Sequence, residues 1–526
     1  MPNQSLFIDS DSDEEEERYN EEIREGRKQE DVLLDLAAMV LRANLNRPPE
    51  IDLHQESISP PRKRRSRRSV NLFTRNNEGE IVPMHATLSS WYISYVEEPN
   101  LTDHRWLRKF RRRFRVSYEG FRSIMAMVRD YENEEYFGRW QSPRATTPLD
   151  LLVLGSLRYL GRGWTFDDLE KATGVSEETH RTFFHKFILF GRAVLFAKYV
   201  SIPTSSSDAR SEEYENAGMA GCIGSMDATH VSCEKIPFDL KQEHTGFKMS
   251  TTARTYNLVC DNRRRILSTT KGHPARWNDK TLVRYDKIAQ TLKNGWSEEL
   301  DKHNFNLKER TANGSIRNVK YRGAWLLVDN GYLNWSCTIP PMKTTTSYAE
   351  LRFSKWLESL RKDVECTFGI LKGRFRILKS GIRLYGIEAA DSIWLTCCSI
   401  HNMMIELDGV ENADGWNTEE WGNFDNDDIE DAVPLQIRRL REPGELRSYD
   451  SSGVGVGNDR HDTNEDNEED EVDTRLEETQ LADCVDNEGY RRVRYLSMEV
   501  FRNKLIEHFD ILFQGNQLKW PNKRGN

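Results

Sequence analysis

Two acidic runs poor in apolar residues limit where this chain can build a core. The first gathers Asp9, Asp11, Asp13 and Glu14 to Glu17; the second spans Glu411 to Glu478 and follows Gly453, Gly455 and Gly457 with dense acid. Such segments bury too little apolar surface to offset the entropy of ordering, so residues 1–83 and 409–488 are expected to be disordered arms. The chain has 526 residues, 37% hydrophobic and 30% charged, a net charge of −10 and a pI near 5.8. Because the acid sits in the arms, the middle is far more basic than that pI implies, and nucleic acid stays open as a partner.

Eight cysteines occur without a CxxC pair, and only Cys397 and Cys398 adjoin. That usage fits a reducing compartment and argues against a disulfide framework or a cysteine-rich zinc site. The polar, acidic N-terminus is unlike a signal peptide, and no apolar run approaches the roughly 18 residues of a membrane span. A soluble, intracellular protein with no membrane partner is expected. Within the first arm, Val32 to Leu41 could form a transient helix. Pro60 and Pro61 precede Arg62, Lys63, Arg64, Arg65, Arg67 and Arg68. This cation-dense stretch reads as a nuclear localisation signal or a phosphate-binding arm, against the plainer reading of a solvated charge run. The expected compartment is the nucleus.

Residues 84–205 carry a helical pattern. Phe110, Phe114, Phe121 and Met125 recur at helical spacing among Arg108, Lys109, Arg111, Arg112, Arg113 and Arg115. Pro148 opens a helix whose apolar face is Leu151, Leu152, Leu154 and Leu157. Thr165 with Asp168 forms an N-cap pattern, Gly174 permits a left-handed stop, and Ser176 can start the next helix. Helix, glycine turn, helix is a helix-turn-helix signature, offering His180, Arg181, His185 and Lys186 to DNA. An ordinary helical hairpin packed on the next domain fits the same residues.

Residues 206–408 change rhythm. Strands are expected over Cys222–Val231, Tyr256–Cys260, Ile266–Thr270 and Trp325–Val328, and long helices over Tyr348–Leu378 and Ser392–Ile405. Strands followed by long helices indicate a mixed α/β domain. Residues 489–526 hold Val500, Leu505, His508, Phe509 and Leu512, which suit an amphipathic helix docking back on the core.

Three acids in this domain are available to a metal. Alternation puts Asp227 on the face of Ile223, Ser225 and Thr229, where an unpaired carboxylate is costly. Asp329 ends a buried strand, the edge where α/β sheets place their sites. Glu365 stands one residue off the stripe Leu357, Leu360, Val364, Phe368, Leu371, Phe375 and Leu378. It shares a polar row with Lys362, Lys372 and Arg376, cations placed to meet phosphates. Two Asp and one Glu suit two Mg²⁺ (or Mn²⁺) ions, which prefer oxygen ligands and retain water and substrate oxygens. Binding would release protons and weaken as pH falls. Taken singly, each acid is explained as well by a cap, a turn or an ion pair.

The motifs settle the choice by resemblance. Gly224-Ser-Met-Asp227-Ala-Thr-His230 resembles the first-aspartate block of PIF/Harbinger transposases, and Leu327-Val-Asp329-Asn-Gly-Tyr332 is similar to the second. Val364-Glu365-Cys-Thr-Phe368-Gly-Ile-Leu-Lys372-Gly-Arg374-Phe375 is similar to the glutamate block. His401-Asn402 matches its downstream helix, and Phe110 to Ser117 resembles the N-terminal helical region. Cys366 and Thr367 depart from the usual pattern without removing an acid. The resemblance implies an RNase H-like core flanked by helices, with Asp227, Asp329 and Glu365 as catalytic acids. Asp279 falls near an accessory acidic position, and Arg181, Lys186, Lys362, Lys372, Arg374 and Arg376 are assigned to DNA. It further implies strand cleavage and transfer on double-stranded DNA, at transposon terminal inverted repeats and target DNA. A Myb-like accessory protein is an expected partner. A homodimer is expected because two DNA ends must meet, although no heptad run supports a coiled coil. The alternative is a domesticated, DNA-binding regulator without catalysis.

Overall fold

A computed structural model describes residues 73–75, 81–83, 85–142, 145, 147–202, 209–246, 251–408, 481 and 484–520. The basic segment Arg62–Arg68, the helix expected at Val32–Leu41 and residues 409–480 lie outside the described residues.

The expected strands form one mixed sheet. Cys222–Ser232 (β1) pairs antiparallel with Ala253–Cys260 (β2), which pairs antiparallel with Ile266–Thr269 (β3). On its other side β1 runs parallel to Trp325–Leu327 (β6), and β6 parallel to Thr338–Ile339 (β7). The order β3-β2-β1-β6-β7 makes the sheet RNase H-like, three antiparallel strands continued by two parallel ones. β1 carries a bulge between Cys222 and Gly224. Gly224 has no alternative there, since a Cβ would stand 2.5 Å from the Cys260 carbonyl oxygen. The bulge also breaks strict alternation: Ile223 packs in one cluster with Met226, not on the face of Asp227.

Helices cover both faces. On one side Tyr348–Arg374 (α9) and Ile387–Asp408 (α10) lie against the sheet, joined by the N-terminal helices His104–Phe114 (α1), Tyr118–Arg129 (α2), Glu134–Gln141 (α3), Leu149–Arg162 (α4), Phe166–Thr173 (α5) and Glu177–Phe190 (α6) in one apolar cluster. On the other, Asp279–Arg284 (α7) and Lys287–Asn294 (α8) bury Val283, Ile288 and Ala289 against Met226 and Val259. The Ser347–Glu350 capping box starts α9, and the expected apolar stripe from Leu357 to Leu378 is buried, although the helix ends at Arg374 and Leu378 belongs to the separate turn Ile377–Ser380.

α10 is buried almost all round, and its polar residues explain why. Asp391 accepts from Arg254 Nε and Nη2 at 2.8 Å each, from Tyr256 at 3.0 Å and from the Gly272 amide at 3.1 Å. Asn402 accepts from the Ile266 amide at 2.9 Å and donates to the Ile266 and Tyr199 carbonyls. His401 Nε2 is 2.9 Å from the Arg264 carbonyl. The His401-Asn402 motif therefore fastens the β2–β3 hairpin to the helical layer.

A hairpin absent from the sequence reading, Asn304–Arg310 (β4) with Ile316–Arg322 (β5), forms a second sheet with Arg491–Arg492 (β8). The expected C-terminal helix, Met498–Gln514 (α11), covers it. Phe501 packs on Phe305, Tyr321 and Trp325, and His508 Nδ1 accepts the Lys308 amide at 2.9 Å. Residues 484–488, placed by composition in the second acidic arm, instead join this sheet. Asp486 accepts from Arg322 at 2.9 Å, and Glu488 does so at 2.7 Å.

The helix-turn-helix pattern folds as its caps dictate: Thr165 and Asp168 form a capping box, Gly174 takes φ 70°, and Ser176 caps α6. Its second helix is mostly interior. Phe183, Phe184, Phe187 and Phe190 are buried, and so is His180, beside Thr173 at 2.8 Å. His180 is thus corrected from a DNA contact to a core residue. Arg181 pairs with Glu177 and Glu178, leaving His185 and Lys186 facing solvent. Burial pushes His180 down to about 4. The folded state holds it neutral while the unfolded chain titrates near 6.5, so its contribution is complete above pH 6.5 and is lost as pH falls toward 4. Replacing His180 with Leu should remove about one proton of uptake on unfolding near pH 5, some 1.4 kcal/mol per pH unit in the stability–pH slope. Denaturant melts across pH 4–7 read it directly; an unaltered slope would contradict the buried neutral imidazole.

All eight cysteines are free and buried. No helix among the described residues is long and apolar enough to cross a membrane.

Candidate active site

The sheet register brings two of the three expected acids together. Ser225 on β1 pairs with Leu327 on parallel β6, so Asp227, midway along β1, lies level with Asp329, just past the end of β6. Asp227 Oδ1 accepts the Ala228 amide at 2.8 Å, and Asp329 Oδ1 accepts the Gly331 amide at 2.8 Å. Asp279 arrives from the first turn of α7, which the Asn278 side chain caps. A Cβ on Gly331 would stand 2.7 Å from Asp279 Oδ2 and 3.0 Å from Asp329 Oδ1, so those two oxygens lie within about 6 Å of each other. The three aspartates border one cleft of about 320 Å³, with His230, Trp277 and Asn278.

Burial pushes the Asp227 carboxyl up to about 6, with Asp329 and Asp279 raising it further; the Ala228 amide and Arg361 work against them. A carboxylate so placed is the kind a cation stabilises. In the structure that cation is Arg361, a residue the sequence reading passed over. Its Nη1 donates to Asp227 Oδ2 at 3.2 Å and its Nη2 to Glu365 Oε1 at 2.7 Å. Glu365 is thereby tied to Asp227 through a guanidinium. The available signal was the spacing of four, which stacks Arg361 and Glu365 on one helical face.

The donors are all carboxylate oxygens, which suits Mg²⁺ or Mn²⁺. Asp227, Asp329 and Asp279 supply such oxygens around one cleft, with Asp279 placed beside Asp329. No three His, Cys, Asp or Glu side chains among the described residues converge tightly enough to hold an ion in this arrangement. Glu365, with its side chain 47% exposed, faces Arg361. Beneath the site, Tyr332 donates to Asn257 Oδ1 at 2.7 Å, and Asn257 donates to Asp286 at 2.7 Å. This buried chain fixes the loop that carries Asp329.

The cations assigned to DNA separate into two groups. Lys362 is exposed and Arg376 half-buried. Arg374 is buried, its Nη1 3.5 Å from the His401 carbonyl, and cannot reach a phosphate. Lys372 donates to Thr229 Oγ1 at 2.8 Å and to the His230 carbonyl at 3.1 Å, tethering α9 to β1. The Arg374 assignment is corrected, since its guanidinium is interior.

An RNase H-like sheet with aspartates on adjacent central strands defines a carboxylate nuclease-type site. Residues 226–402 match the family model described as DDE superfamily endonuclease, in keeping with the PIF/Harbinger resemblance of the motifs in that stretch. Human and rat proteins named "Putative nuclease HARBI1" are each 22% identical over 313 residues, 57% of this chain and 80% of theirs. The Xenopus laevis protein of that name is 26% identical over 225 residues, 42% of this chain and 56% of its own. No solved structure matches the chain.

Proposed function

We propose that the chain is a nuclear, metal-dependent DNA transposase or endonuclease that cleaves and transfers strands at transposon terminal inverted repeats. The observation that carries this reading is the pair Asp227 and Asp329, brought level by the β1–β6 register, with Asp279 beside them. Asp227 and Asp329 would hold the divalent ions, with Glu365 joining once released from Arg361. Such ions, when bound, activate a water or 3′-hydroxyl nucleophile and stabilise the leaving 3′-oxygen. The chain's own work is to fix the acids. The Ala228 and Gly331 amides each hold one carboxylate oxygen, Asp227 Oδ2 would exchange Arg361 for an ion, and Tyr332 anchors the Asp329 loop.

The test is incubation with terminal inverted-repeat DNA, with and without Mg²⁺ or Mn²⁺. Metal-dependent nicking at the element ends is the expected result. Binding with no cleavage under either metal would overturn it in favour of a DNA-binding regulator. Arg361 gives a further expectation. It competes with a metal for Asp227 and Glu365, so Arg361→Gln should lower the Mn²⁺ concentration for half-maximal thermal stabilisation about tenfold, equivalent to about 1.4 kcal/mol. Weaker Mn²⁺ stabilisation in the variant would show that Arg361 supports the ion site instead of opposing it.

A further inference from the structure

A second cleft adjoins the acid cleft and has been given no role. It measures about 510 Å³, and its lining includes Lys280, Asn330, Tyr332, Lys343 and Arg502. Lys280 follows Asp279, and Asn330 follows Asp329. The two loops that present acids to one cleft therefore present the next residues to the other, forming a shared ridge. Arg502 comes from α11, so the far end of the chain completes this wall.

The charge here is unusual for this protein, where most partly buried arginines are matched by carboxylates. Lys280 and Lys343 are exposed, and neither forms an ion pair with the described residues. Arg502 is only half-buried, yet its Nε is shut from water with no hydrogen-bond partner. Glu499, one turn earlier on α11, is the acid in the lining, and Glu350 also acts on Arg502, while Lys280 and Lys343 face the cleft without a carboxylate partner. Anionic oxygens entering the cleft would meet Lys280, Lys343 and Arg502 as charged donors. Polar neighbours such as Asn330 and Thr344 can donate to the same oxygens.

We propose that this cleft binds backbone phosphates of the nucleic-acid strand running past Asp329, with Lys280, Lys343 and Arg502 as its contacts. The inference rests on the nuclease reading for the strand's identity, and it adds where that strand leaves the acids. Arg502, with its planar fork, sets the phosphate position, and the two lysines act as point charges at the rim.

Duplex DNA binding by the full chain, measured by fluorescence anisotropy in EDTA over a salt series, tests it without requiring cleavage. Lys280→Gln and Lys343→Gln are surface changes, and Arg502→Lys retains charge while removing the fork. Each lysine variant should flatten the log Kd against log salt slope by about 0.9, one phosphate contact. The double variant should bind at least tenfold more weakly at low salt. Arg502→Lys should weaken binding several-fold with the slope nearly kept. Inorganic phosphate at matched ionic strength should compete no better than chloride; selective competition would mark an isolated anion site and overturn the strand assignment. If wild type shows salt-dependent binding that none of the three variants alters, the cleft proposal fails and the nuclease reading stands. If wild type binds no DNA, both fail.

Discussion

Asp227→Asn or Asp329→Asn should reduce metal-dependent strand cleavage by roughly a thousand-fold or more, with duplex binding in EDTA unchanged within a few-fold. Each substitution keeps shape and removes the charge that draws an ion. The Ala228 and Gly331 amides can still donate to an amide oxygen, so the site should hold its geometry. Asn at 227 also removes a half-buried carboxylate that burial and two neighbouring acids disfavour. The apo variant should therefore lose little stability and should no longer be stabilised by Mn²⁺. Asp279→Asn is the informative comparison. Proximity to Asp329 Oδ1 predicts a large loss, whereas a supporting role predicts a modest one. Residual metal-dependent cleavage in Asp227→Asn at near wild-type rate would dismiss the assignment.

A second large effect is predicted far from the acids. Asp391→Ala should destabilise the fold by about 3–5 kcal/mol, because it strands the Arg254 guanidinium in the interior. Arg254 and Asp391 side chains are only 5% and 8% exposed, and Tyr256 and the Gly272 amide lose their acceptor too. The exposed pair Lys171–Asp167 supplies the contrast: Asp167→Ala should leave the denaturation midpoint nearly unchanged. Chemical denaturation of both variants measures the difference. A loss below about 1 kcal/mol for Asp391→Ala would mean that water or another acid rescues Arg254.

Much of this architecture was legible because local chemistry and tertiary demand agree. Thr165, Gly174 and Ser176 mark caps that the folded chain uses, and the period of three and four from Leu357 to Leu371 is the buried stripe of α9. The strands at Asp227 and Asp329 were legible for the same reason. The β4–β5 hairpin was not, although Phe305, Leu307, Val319 and Tyr321 alternate around Asn313-Gly314, a strong turn signal. The charged face opposite, including Lys308, Arg310 and Lys320, masked the apolar side. Arg374 and His180 failed differently. Residue type says that a cation or imidazole is polar, and only packing shows that it is interior. Arg361 was overlooked because a pair at i and i+4 is usually a surface pair, and nothing local tells that Asp227 arrives on its other side.

The way α11 closes over the β4–β5 hairpin has a bearing on biogenesis. A ribosome releases the sheet, its acids and both long helices well before it reaches Met498. Until then Phe305, Tyr321 and Trp325 lack their lid, and the phosphate cleft lacks Arg502. The nascent nuclease is thus incomplete at both its apolar underside and its strand-binding wall, and the two are finished in one late docking event.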